Sequence, residues 1–359
     1  MLRDAKYLLA YMIPLAVLGG IYFGGIWSPG SVYIAFVMIP LLELVLPQSD
    51  QNLSPAQESS KNASFFFDLL LYLNVPIVYG LLWYFFSSAM TSDWSTLETI
   101  GLLLNMGLLL GTLGINVAHE LGHRPEWYNQ LAAQALLLPN LYLHFNIEHN
   151  RGHHKNVATD EDPASARRGE VVYAFWLRSV VGSYRSAWAL EAERLRRHGQ
   201  SPGSWNNQMI RFQVSQIVYL TAIAAFFGPQ VLLYAILIAI GGFSLLEVVN
   251  YIEHYGLRRK KLANGRYERV TPQHSWNSDH ELGRIFLYEL TRHADHHFKA
   301  NRKYQVLRHL DESPQLPYGY PGSMLLALFP PLWFRRMDRE VDRWQESRRK
   351  TVVESTGMG

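Results

Sequence analysis

Nine of the fourteen histidines in the sequence fall into four short groups. Residues three or four apart share one face of a helix, so a group of two or three histidines can direct its imidazoles at one point. Two His-His pairs each follow a third histidine by three or four residues, which is hard to explain by packing or surface exposure. The pattern therefore predicts a metal site with these ligands: His119, His123, His149, His153, His154, His254, His293, His296 and His297.

The first group lies in AHELGHR, residues 118–124, which also fits the HExxH pattern of zinc proteases. In such a protease Glu120 would be the general base, and a further acidic ligand often lies in an Asp-Gly motif. The sequence contains no Asp-Gly dipeptide. An intramembrane zinc protease therefore remains an alternative, weakened by the missing motif.

The composition excludes some kinds of partner and metal site. The chain has 359 residues, 48% of them hydrophobic, and a net charge of only +3, so we expect no nucleic-acid partner. It has no cysteine, which excludes disulfides, thiolate metal sites and iron–sulfur clusters within the chain. Imidazole suits iron, zinc, copper and nickel alike. Nine imidazoles exceed what one ion accommodates, so two metal ions are implied.

Long apolar runs predict a membrane protein, since a helix needs about 20 apolar residues to cross a bilayer core. The run at 31–47 is short and contains Glu43, which makes it the weakest candidate. The first run is expected to be a retained helix rather than a cleaved leader, because a second follows at once. The predicted spans are 7–27, 31–47, 65–87, 98–118, 208–228 and 230–252.

Basic residues predict the orientation. If the N-terminus is cytoplasmic, the outer loops are 28–30, 88–97 and the turn at 228–229, and none of them contains Lys or Arg. This positive-inside pattern predicts a multi-pass membrane protein with both termini in the cytoplasm. His119 and His254 then both follow a span at its cytoplasmic end.

The predicted fold is all-α, with six transmembrane helices capped by a helical cytoplasmic region that carries a histidine-rich site for two metal ions. The expected segments are helices one to four (1–118), a cytoplasmic or interfacial histidine segment (119–207), helices five and six (208–252), a second cytoplasmic segment (253–350) and a flexible tail (351–359).

The four groups read HELGHR, EHNRGHH, NYIEHYGL and RHADHH, in order between and after the predicted spans. With HSWNS (274–278) and PQLPYGYPGSMLLALFPPLWF (314–334), the chain resembles the integral-membrane non-haem diiron alkane monooxygenases, the alkane 1-hydroxylases of bacteria. These enzymes belong to the superfamily of membrane fatty-acid desaturases and hydroxylases, and NYIEHYGL is the stretch most particular to them. The resemblance covers essentially the whole chain.

The resemblance implies two iron ions bound by the nine histidines, with O2 as co-substrate. One oxygen atom would enter a terminal C–H bond of a medium-chain n-alkane from the bilayer, giving a 1-alkanol and water. The electrons would come from rubredoxin, reduced by an NADH-dependent rubredoxin reductase. A basic cytoplasmic face that includes Arg292, Arg302 and Lys303 would steer this acidic partner.

Neutral ligands call for nearby carboxylates that accept the second ring N–H of a histidine and fix its tautomer. Asp160, Glu253 and Asp295 are the favoured candidates for this support, and His274 is a fourth. Candidates to line a substrate channel are Phe36, Leu108 and Leu246.

Two further alternatives stay open beside the protease. A fatty-acyl desaturase or hydroxylase would share the diiron chemistry, but NYIEHYGL weighs against it. A non-enzymatic metal transporter would place its ligands near the middle of the membrane, whereas these histidines lie at the ends of spans.

Overall fold

The structure, a computed structural model, describes residues 4–355, and all their regular elements are helices. Short 3₁₀ turns lie at Gly25–Trp27, Leu138–Asn140, Pro272–His274 and Tyr304–Val306. The helices are α1 (Ala5–Phe23), α2 (Gly30–Glu43), α3 (Pro55–Ala63), α4 (Phe65–Ala89), α5 (Thr96–Gly122), α6 (Trp127–Leu137), α7 (145–156), α8 (Val172–Arg197), α9 (Gln208–His254), α10 (Glu281–Phe286), α11 (His293–Phe298), α12 (Tyr320–Ala327) and α13 (Pro330–Ser355).

Four of the described helices, α1, α4, α5 and α9, are long and apolar enough to cross a membrane by length and composition. Helix α9 has 47 residues, and its backbone leaves the helical region at Gly228, directly before Pro229. The predicted boundary between the last two spans coincides with this kink. Helix α2 is apolar but shorter than the roughly 20 residues a span requires. The six predicted spans are therefore not all present as separate long helices.

Helices α5 and α9 pack closely because glycines line their contact. A Cβ atom on Gly107 would lie 3.3 Å from the Cα of Gly241, and one on Gly111 would lie 2.9 Å from Leu245 Cδ1. Small residues of this kind let two membrane helices approach closely. The packing brings together the ends of the two helices, where His119 and His254 lie.

The C-terminal helix α13 covers the end of α9. Its buried Trp333 lies 5.4 Å, between ring centroids, from both Tyr251 and Tyr255. The hydroxyl of Tyr255 donates to Asp338 at 2.8 Å. These contacts hold the chain where it leaves α9, directly after His254.

Helix α13 continues to Ser355, so 351–355 of the predicted flexible tail are helical and the remainder lies outside the described residues. The other predicted segment boundaries stay predictions.

Three stretches of π-helix interrupt the α-helices: Ile34–Met38 in α2, Leu110–Ile115 in α5 and His149–His153 in α7. In a π-helix the hydrogen bonds run between residues five apart, and single π turns are frequent at functional sites. The third stretch contains two of the predicted metal ligands. Its effect on them is described below.

Candidate metal centre

The structure brings the nine predicted histidines into two groups. Within each group, one ring nitrogen of every member lies within 4.8 Å of those of all the others. Most of these side chains are buried, and His254 has no exposed surface. The first group is His119, His123, His149, His154 and His296, and the second is His153, His254, His293 and His297.

The groups do not follow the order of the sequence. His149 and His154, five residues apart, belong to the first group, while His153 belongs to the second. The π-helical stretch favours this division, since its wider turn brings residues five apart closer to one face than an α-helix does. The histidines of α11 are also divided between the groups: His296 belongs to the first group and its neighbour His297 to the second.

Distances in the first group fit ligands around a cation. The Nε2 atoms of His119 and His296 are 2.8 Å apart, and His149 Nε2 lies 3.1 Å from that of His123 and 3.0 Å from that of His154. Two nitrogens bound at right angles by bonds of about 2.1 Å would be about 3.0 Å apart. One Nε2 atom carries either one proton or one lone pair, so hydrogen bonds among the imidazoles cannot satisfy the whole group. A central metal ion can.

The second group has the same form. His153 Nε2 lies 3.2 Å from His297 Nε2, and His293 Nε2 lies 3.3 Å from His254 Nε2. Glu253 Oε2 is 3.2 Å from the same His293 nitrogen. A carboxylate therefore accompanies the imidazoles at the side of the second group that would face a metal.

Burial favours the neutral imidazole that binds metals. Outside the long apolar helices, burial, followed by the neighbouring imidazoles, lowers the pKa of six of these histidines well below the ordinary value. A metal ligand must be deprotonated, so these side chains need to lose no proton at neutral pH. The six are His123, His149, His154, His293, His296 and His297.

The supporting carboxylate in the loop after α7 is Asp162. Its Oδ2 lies 2.9 Å from His153 Nδ1 and also accepts from the hydroxyl of Ser165. Burial acts to lower the pKa of His153, but the Asp162 carboxylate opposes it and the net shift is upward. Asp160, the residue favoured from the sequence, is instead exposed and lies 3.9 Å from Arg258. The prediction for Asp160 was wrong by two positions.

The other three support candidates have different environments. The buried Glu253 accepts from the hydroxyl of Tyr320 at 2.8 Å while its second oxygen faces His293. The carbonyl oxygen of His274 is 3.5 Å from His254 Nδ1, whereas the His274 ring contacts Thr271 and Glu268. His274 therefore approaches a ligand through its backbone rather than its ring.

Asp295 lies within α11 but does not support an imidazole. Its carboxylate accepts from the backbone and side chain of Arg308, at 2.9 and 3.1 Å, and lies 3.2 Å from Arg302. It ties the segment after α11 to that helix. Its contribution to the site is therefore indirect.

Glu120 of the HExxH pattern is held by Arg124. Its Oε1 accepts from Arg124 Nη2 at 2.9 Å, and Arg124 also donates to Asp68 at 2.7 Å. The carboxylate is thus engaged in a buried ion pair beside the histidines.

An apolar cavity reaches the first group. It runs beside successive turns of α5 from Leu108 to His119, and all three channel candidates named from the sequence, Phe36, Leu108 and Leu246, line it. Two of the π-helical stretches, in α2 and α5, also contribute lining residues. Its lining is mostly apolar, and His119 lies at one end of the row of α5 residues that face it.

Comparison with known proteins shows the class. Residues 92–325 match the fatty acid desaturase family. The chain is 40% identical to alkane 1-monooxygenase 2 of Pseudomonas aeruginosa, over 95% of this chain and 93% of that protein. It is 37% identical to alkane 1-monooxygenase 1 of Alcanivorax borkumensis, over 98% and 88%, and 32% identical to the hydroxylase component of xylene/toluene monooxygenase of Pseudomonas putida, over 90% and 86%.

The chain therefore belongs to the fatty acid desaturase family and, within it, to the alkane 1-monooxygenases. This agrees with the resemblance read from the four histidine motifs.

Proposed function

We propose that this monooxygenase hydroxylates medium-chain n-alkanes at the terminal carbon, using O2 and a centre of two iron ions. The observation that carries the proposal is the pair of adjacent buried imidazole groups, the first of which meets an apolar cavity at His119. The names of the relatives support alkanes as the substrate class.

The two groups would hold one iron each, with five and four imidazoles. Iron bound there would supply the reduction of O2 and the transfer of one oxygen atom. All nine ligands are neutral, so the buried carboxylates of Asp162 and Glu253 offset part of the metal charge from the second group. Asp162 also fixes the tautomer of His153, because it accepts a hydrogen bond from the protonated Nδ1 and so leaves the Nε2 lone pair free.

An alkane offers no polar group, so its recognition depends on shape and apolar contact. The cavity wall supplies Ile13, Ile39, Leu246 and Phe286 among other apolar side chains. A chain lying along α5 places its terminal carbon beside His119, which determines the position that is oxidised.

The reaction consumes one O2, two electrons and two protons for each alkanol and water formed. The chain has no cysteine, which excludes an iron–sulfur cluster of its own as the electron source. We propose rubredoxin, reduced by its NADH-dependent reductase, as the donor, as the resemblance implies.

The basic residues named from the sequence are not a free docking surface. Arg292 is buried and donates to the backbone carbonyls of Leu307, Ser49 and Gln51. Arg302 pairs with Asp295 and Glu58, and Lys303 pairs with Asp68. Arg292 in particular was wrongly placed on the surface, because spacing along the sequence does not show burial.

The reconstituted reaction tests the proposed function. Purified protein in lipid nanodiscs, supplied with rubredoxin, rubredoxin reductase, NADH and O2, should convert n-octane to 1-octanol. The protein should contain iron. Zinc in place of iron together with no alcohol would contradict the proposal, and so would products from fatty-acyl substrates alone.

Glu120 separates the hydroxylase from the protease alternative. We expect E120Q to retain hydroxylation and iron but to lower the free energy of unfolding by about 1–3 kcal/mol, because Arg124 loses a charged partner. Product formation and thermal unfolding measure the two effects. As a control, D68N should also cost stability, since it removes the other partner of Arg124. Loss of hydroxylation in E120Q with iron content intact would contradict this assignment.

The orientation can be tested cleanly because the chain has no cysteine. We propose that it lies in the inner membrane with both termini in the cytoplasm. Exposed Ser92 and Ser201 lie in loops predicted to be on opposite sides. In spheroplasts, a membrane-impermeant thiol reagent should label S92C at once and S201C only after lysis. Labelling of S201C in intact spheroplasts would contradict the proposed orientation and indicate the opposite one.

A further inference from the structure

The described wall of the apolar cavity contains one side-chain amide, that of Asn116. Asn116 lies on α5 three residues before His119, and both residues line the cavity. Residues three apart on a helix have Cβ atoms about 5–6 Å apart on the same face. The amide is therefore close to the place where the terminal carbon of a substrate would be oxidised.

The orientation of the amide follows from its one hydrogen bond. Asn116 Nδ2 donates to the backbone carbonyl of Leu287 at 3.2 Å. A carbonyl can only accept, so the NH2 end of the amide must face it and the oxygen must point elsewhere. Asn116 Oδ1 is buried and has no hydrogen-bond partner among the described residues. A buried acceptor without a partner is unfavourable and gains from any donor that reaches it.

Thr112, one turn earlier on α5, is a second polar residue in the cavity wall, but its hydrogen bonding differs from that of Asn116. It also lines the cavity, but its hydroxyl donates to the carbonyl of Leu108 at 2.7 Å within α5. Thr112 therefore has its donor satisfied inside its own helix. Asn116 instead has a buried acceptor without a partner, on a residue that lines the cavity three positions before His119.

We propose that Asn116 Oδ1 accepts a hydrogen bond from the hydroxyl group of a 1-alkanol, so that the cavity has a binding position for the product. The inference rests on the proposed function, since only hydroxylation beside His119 puts a hydroxyl there. An alkane has no donor and gains nothing from this oxygen. The position therefore favours the alcohol over the alkane and slows its release.

The test compares two ligands of similar length that differ in one donor. Binding of labelled 1-octanol and labelled 1-methoxyheptane, which has an oxygen but no O–H, is measured by equilibrium dialysis on the iron-loaded protein in nanodiscs, without reductant, against empty nanodiscs. In the unaltered protein we expect the alcohol to bind roughly tenfold more tightly than the ether, which is the scale of one buried hydrogen bond.

Asn116→Leu should bring this ratio close to one, while the control Thr112→Val should leave it unchanged. An unchanged ratio in N116L would overturn the proposal. It would show that Oδ1 serves a water molecule or nothing at all. If N116L fails to fold, the unaltered protein still decides, because equal affinities for alcohol and ether would also overturn it. Failure of the unaltered protein to oxidise n-octane would instead contradict the proposed function.

Discussion

Replacing His254 by alanine should lower bound iron to about half and reduce alkane turnover by more than roughly 100-fold, beyond the loss typical of residues that only support a ligand. His254 is fully buried at the end of α9, and its Nε2 lies 3.3 Å from that of His293. Its loss leaves the second group with three imidazoles. The first group keeps all five of its members, so one iron should stay bound.

His198 provides the matched control, because it is exposed at the end of α8 and belongs to neither group. H198A should leave iron content and turnover unchanged. Metal analysis of both purified variants, together with the 1-octanol assay, measures the effects. Full iron content and full turnover in H254A would remove His254 from the ligand set.

Replacing Leu108 by phenylalanine should shorten the range of alkanes that the enzyme accepts. Leu108 lines the cavity 11 residues before His119 on α5, which corresponds to about 16 Å along a helix. A larger ring there occupies the end of the cavity remote from the histidines. We expect kcat/KM to fall about tenfold or more for the longest accepted alkanes, since displacing a chain from a packed site costs on the order of 1–3 kcal/mol. Short alkanes should be nearly unaffected.

Leu104, one turn earlier on α5, is 55% exposed and does not line the cavity. L104F therefore adds the same ring on the outer face of the same helix, and it should leave the chain-length profile unchanged. The profile is measured by product formation from a series of n-alkanes. An equal loss for short and long alkanes in L108F would show that the substrate does not lie along this part of α5.

The histidines were predictable because their types and spacing are local properties of the sequence. Their division between two groups was not. An α-helical spacing places His149 and His153 on one face, but the π-helical stretch pairs His149 with His154 instead. That stretch depends on packing and has no clear signal in the residues themselves.

The carboxylate that supports His153 also could not be chosen from the sequence. Asp160 is six residues after the second motif and Asp162 is eight, yet only the more distant Asp162 faces His153. The choice depends on how the loop turns. Arg292 likewise reads as a surface charge beside a histidine group, but its guanidinium is buried among backbone carbonyls.

The sequence predicted the break between the last two spans better than it predicted the number of spans. The break in α9 falls at Gly228, within the predicted turn at 228–229. The predicted span at 31–47 is not confirmed, because its helix ends at Glu43 and is short for a span.

We propose that the nine histidines bind two iron ions. Anomalous diffraction or scattering from the purified protein at the iron absorption edge tests it most directly. We expect two iron peaks, one among His119, His123, His149, His154 and His296, and one among His153, His254, His293 and His297. A single peak, or peaks that follow the zinc edge, would contradict it.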